Sequence, residues 1–82
     1  MKISEATPER VAAYMNLAED EYDSETLAAI MEAAKHYIVN VTGLPESSED
    51  GESIDSYPDL TIAFLVLCQD MFDNRSMYVD QP

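Results

Sequence analysis

The sequence predicts an all-α fold: a small bundle of three main helices with an acidic loop between the second and the third, and no sheet. Three observations predict it. Apolar residues recur at three- and four-residue spacing in three separate stretches. Helix-start residues stand ahead of those stretches at Thr7, Asp23 and Pro58. The sequence Val-Thr-Gly-Leu-Pro, residues 41–45, closes the longest stretch as a helix stop.

The first helix is expected over about residues 8–17. Thr7 is a good N-cap, and Pro8 suits the first helical position because its missing N–H has no intrahelical partner there. Val11, Tyr14, Met15 and Ala18 mark its apolar face. The stretch Glu19 to Glu25 is crowded with carboxylates and reads as a solvated turn. Nothing in its pattern fixes the geometry of a metal site.

The second helix is expected over residues 24–42. Asp23 caps it, and Glu25 suits the positive end of its dipole. Tyr22 and Leu27 have the spacing of a hydrophobic staple. Leu27, Ile30, Met31, Ala34, Ile38 and Val41 form its apolar stripe. Ala28, Ala29 and Ala33 lie beside that stripe and are small enough to permit close helix approach. Gly43 takes the left-handed position past the end, Leu44 packs back, and Pro45 prevents continuation.

Glu46 to Ser56 reads as an acidic surface loop. A calcium loop fails there: with Gly51 as its sixth position, the twelfth falls on Tyr57, where a bidentate Glu is needed. The third helix is expected over residues 58–75, opening at Pro58 and Asp59. It carries two apolar stripes, one through Leu60, Phe64, Leu67 and Met71, the other through Ile62, Leu65, Val66, Gln69 and Phe72. A helix apolar on most of its circumference must be covered on most of it. Two partner helices cover one side, so a stripe is left to contact a neighbouring subunit or partner. Spacing alone does not say which stripe faces inward: the interface is expected on Ile62, Leu65, Val66, Gln69 and Phe72, or else on Leu60, Phe64, Leu67 and Met71, with Arg75 pairing to a carboxylate of the next copy.

The 82 residues suit one domain, 1–82. A domain this small buries only about 60% of its unfolded surface, so its core is marginal. Disulfides within one chain are excluded, because Cys68 is the single cysteine. Its apolar surroundings mark it as a buried small hydrophobe. One Cys and one His, His36, cannot supply four zinc ligands. Oligomerisation remains as the means of added stability.

Seventeen acidic residues face four basic ones, a formal net charge of −13. That balance disfavours direct binding to DNA or RNA phosphates and to anionic membranes, since there is no basic patch to release counterions, and no sequence-specific nucleic-acid binding is expected. The apolar run Ile62 to Cys68 is far short of a membrane span, and the first residues lack the apolar core of a signal peptide. The expected setting is the cytoplasm. No catalytic pattern is present: no glycine-rich phosphate loop, no His–Glu helix motif, no nucleophile elbow. His36 has no identifiable partner. The expectation is a non-enzymatic protein with no cofactor and no metal.

The segments "DSETLAAIMEAAKHYIVNVTGLP" and "YPDLTIAFLVLCQDMFDNRS", separated by an acidic loop, resemble the small head–tail connector proteins of tailed bacteriophages. These are also described as phage DNA-packaging proteins. The matching positions are Tyr37, Ile38, Thr42, Gly43, Tyr57, Pro58, Ala63, Leu65, Asn74 and Arg75. The resemblance runs over nearly the whole chain from Ile3, and its weight lies in the order and spacing of the motifs together. Members often continue beyond the Asn–Arg position, whereas this sequence ends at Pro82.

The resemblance implies a helical adaptor whose copies form a homo-oligomeric ring beneath the capsid portal. The ring would link the portal protein to head-completion or tail proteins, with DNA passing through its centre. It would be a virion component of the head–tail junction, assembled in the host bacterial cytoplasm. Two other classes are short, helical and acidic. A DNA-mimic inhibitor would need regularly spaced surface carboxylates, and the two clusters here fall in loops. An acyl carrier protein would need Asp-Ser-Leu at a helix start, but Asp23-Ser24 is followed by Glu25 and Asp55-Ser56 by Tyr57.

Overall fold

The caps set the helix limits. Thr7 accepts a hydrogen bond from the Arg10 N–H at 3.2 Å and starts α1, Pro8–Tyr14. Asp23 accepts from both the N–H and the hydroxyl of Thr26 at 3.0 Å and starts α2, Ser24–Thr42. Pro58 opens α3, Pro58–Asp73. The computed structural model describes residues 1–74. Among the described residues the fold is all-helical: these three helices, short 3-10 turns at Ile3–Glu5, Glu19–Glu21 and Ile54–Ser56, and no strand.

Two helices end in left-handed residues, by different routes. At the end of α1, Asn16 has φ 58°; its N–H donates to the Ala13 carbonyl at 3.2 Å and the Leu17 N–H to that of Ala12 at 2.9 Å. That pair of bonds is a Schellman motif built on Asn rather than Gly. At the end of α2, Gly43 has φ 75° and donates to the Val39 carbonyl at 2.9 Å, the simpler left-handed cap. Leu44 then returns against the core.

One core joins the three helices. Val11, Ala12 and Met15 come from α1 and its cap, Leu27, Ile30, Met31, Ala34 and Ile38 from α2, and Phe64, Leu65, Cys68, Met71 and Phe72 from α3. The C-terminal half of α2 faces the N-terminal half of α3, while Phe72 lies beside Thr26 at the other end. The two helices therefore run antiparallel. Lys35, near the middle of α2, bonds Glu32 at 3.1 Å and Glu46 at 3.3 Å, tying the helix to the loop after it. Burial alone would lower the pKa of the ammonium; its bonds to the two carboxylates outweigh that and hold it above its ordinary value.

Several sequence expectations need correction. α1 stops at Tyr14 instead of Leu17, and Tyr14 and Ala18 face solvent. Val41 belongs to the α2 stripe by spacing but is exposed, at the end of α2 beside the groove walls. α3 ends at Asp73 with Asn74 as its cap, so Arg75 and its expected ion pair lie outside the described residues. The acidic loop is not wholly on the surface. Ile54 is 1% exposed, Ser53 is buried with it, and the Ile54 N–H donates to the Pro45 carbonyl at 3.0 Å. Ile3, also 1% exposed, fills the core from the N-terminal 3-10 turn.

Candidate functional site

The packing of α2 on α3 leaves a groove at one end of the pair. Its α2 wall is Tyr37, Ile38, Val41 and Thr42; its α3 wall is Leu60, Ala63, Val66 and Leu67. None of these side chains is charged. Thr42 uses its hydroxyl to donate to the Ile38 carbonyl at 2.7 Å, so the lining is still more apolar than its composition. The groove lies where α2 ends at Thr42, capped by Gly43, alongside Leu60 near the start of α3. No third helix crosses this end among the described residues.

Three exposed apolar side chains, Tyr37, Val41 and Val66, line the groove, and Ile62 lies outside it one turn from Val66 on α3. Tyr37, Val41, Ile62 and Val66 are 52%, 66%, 62% and 54% exposed. Tyr37 and Val41 are one helical turn apart, as are Ile62 and Val66. Side chains of this size exposed side by side make a candidate interaction surface. Met1, Tyr14 and Tyr57 are the other large exposed apolar residues described, and they do not line the groove.

The expected interface stripe divides when placed in three dimensions. Ile62 and Val66 point outward. Leu65 and Phe72 lie in the core, 8% and 9% exposed, so they are committed to α1 and α2 in the single chain. Gln69 sits at the margin and donates to Asp73 at 3.1 Å. Arg75 lies outside the described residues. Of the competing stripe, Phe64 and Met71 are buried, while Leu60 and Leu67 reach the groove half-buried. Neither stripe is wholly inner or outer. The α2 wall was missed in the sequence because Val41 has the spacing of a buried stripe position and Tyr37 lies off that stripe. Their exposure follows from where the neighbouring helices stop.

Chemistry-bearing groups lie elsewhere. Cys68 is fully buried, and burial pushes its thiol up to about 12, the opposite of a nucleophile's requirement. His36 is exposed on α2. The Tyr57 hydroxyl donates to Glu52, a bond that raises the phenol's pKa. Among the described residues no three His, Cys, Asp or Glu side chains converge as a metal site, and no helix is long and apolar enough to cross a membrane. No family model, curated protein or solved structure matches the chain.

Proposed function

We propose that the protein is a head–tail connector of a tailed bacteriophage. Its copies form a ring beneath the portal and link it to head-completion or tail proteins, with DNA passing through the centre. The observation that carries this reading is the apolar surface of Tyr37, Val41, Ile62 and Val66, left outside after the chain has filled its own core. A small domain whose work is to be joined to other proteins needs such a surface. The order of the helix ending at Gly43, the acidic loop and the helix opening at Pro58 supports the same reading through its resemblance to that family.

The charge suits a channel. With a net charge of −13, the chain has little attraction for a passing duplex. Repulsion reaches only about 8 Å at physiological salt, so the carboxylates that matter are those lining the lumen. The reading is tested by purifying the protein with and without the portal protein of the phage or prophage that encodes it. Light scattering and negative-stain electron microscopy should find rings, free or seated on the portal. A chain that neither forms rings nor binds the portal under any salt condition overturns the proposal.

A further inference from the structure

We infer that the α2–α3 groove is the seat of a second copy of this chain, which enters it head-to-tail with its own exposed α3 ridge, a contact that can repeat around a ring. The inference builds on the connector reading by naming the contact through which copies join. It starts from where the carboxylates are. α2 and its cap carry none between Glu32 and Glu46, and α3 carries none between Asp59 and Asp70. Those two windows pack side by side and line the groove. The acidic clusters sit elsewhere, at Glu19 to Glu25 and in the loop from Glu46 to Asp55.

This distribution selects the occupant. Two copies each bearing −13 repel wherever carboxylate meets carboxylate, so they can approach closely only where carboxylates are absent. A basic partner has the opposite preference and gains most at the acidic clusters, not in an uncharged groove. The fitting occupant is uncharged and apolar, and this chain presents such a face itself. α3 supplies both an exposed ridge, Ile62 and Val66, and one wall of the groove, so each copy carries both halves of the contact. The rest of each molecule still repels, so association strengthens as salt screens the charge.

The test is sedimentation equilibrium of the full chain at about 10 mM and about 500 mM NaCl, where the screening length falls several-fold. The expected result is an oligomer whose mass rises with salt. Val41→Glu and Val66→Glu, both at exposed positions, should each give a folded monomer by circular dichroism. Tyr14→Glu, exposed but outside the groove, should assemble like the parent. A parent that is monomeric at both salts overturns the inference, and so do groove variants that assemble as well as the parent. Portal-bound rings that survive both groove substitutions sink this inference and leave the connector reading standing. An oligomer abolished by both, in a protein that never binds portal, does the reverse.

Discussion

The backbone N–H of Ser4 donates to a carboxylate oxygen of Asp55 at 3.0 Å, across fifty-one residues of chain. The bond joins the first 3-10 turn to the last, and beside it Ile3 and Ile54 both enter the core. The segment before α1 and the loop before α3 are thus part of one packed unit. Ile54→Ala should cost about 3 kcal/mol, the usual cost of emptying a buried Ile site. Ile62→Ala, on the exposed ridge of the same chain, should cost less than about 0.5 kcal/mol under conditions that keep the protein monomeric. Urea melts of the two variants check the contrast, and equal losses would show that the loop is not anchored as described.

Gly43 and Asn16 make different predictions although both are left-handed. A Cβ added at Gly43 meets nothing within 4 Å, so the cost of Gly43→Val is a backbone cost alone, about 1 kcal/mol or more. Asn16 already carries a side chain at φ 58°, so Asn16→Gly should be neutral or slightly stabilising. Thermal melts read both. A Gly43→Val protein as stable as the parent would show that α2 does not end in a left-handed cap.

Cys68 predicts an alkaline loss of stability. The unfolded thiol ionises near its ordinary value of 9.0, while burial pushes the folded one up to about 12. Between those values the unfolded chain binds fewer protons than the folded one, so stability falls as pH rises. Urea midpoints measured from pH 8 to pH 11 should decline in the parent more steeply than in Cys68→Ala, which removes only this ionisation. At neutral pH the native thiol should resist Ellman's reagent and react promptly in denaturant. Fast labelling of the native protein would contradict its burial.

The net charge predicts the response to salt. Seventeen carboxylates held on one small domain repel one another, and unfolding relieves that repulsion. The melting temperature should rise as NaCl is added up to about 0.15 M, where the screening length falls to about 8 Å. The trend should persist in Val66→Glu, which separates it from any effect of association. A melting temperature that falls with salt would show that net attraction, not repulsion, governs this charge set.

Most of the fold was legible because it rests on periodic signals. The α2 limits follow from Asp23 and Gly43, and the α2 stripe from Leu27 to Ile38 is buried as its spacing requires. What escaped were residues without periodic company. Ile3 and Ile54 are single apolar residues in polar surroundings, and nothing in the sequence distinguishes an anchored isoleucine from an exposed one. Asn16 was an available signal, since Asn can take the left-handed position, but the apolar pattern running on through Ala18 hid the stop. The candidate site was half legible. The excess apolar surface of α3 was plain, yet which of its residues face outward depends on where α1 and α2 end in space. Leu65 and Ile62 share a stripe by spacing and part company only when α1 and α2 are in place.

The uneven placing of the carboxylates also acts before any contact is made. At encounter distances a cation feels the two acidic clusters and is drawn toward them, whereas another polyanion is turned away from most approaches. A neutral apolar surface feels neither pull nor push at that range, and among the described residues Tyr37, Val41, Ile62 and Val66 lie open to it. The placing of charge therefore limits the directions from which each kind of charge can approach. That filter acts at the distance of the collision, several ångströms before shape has any say.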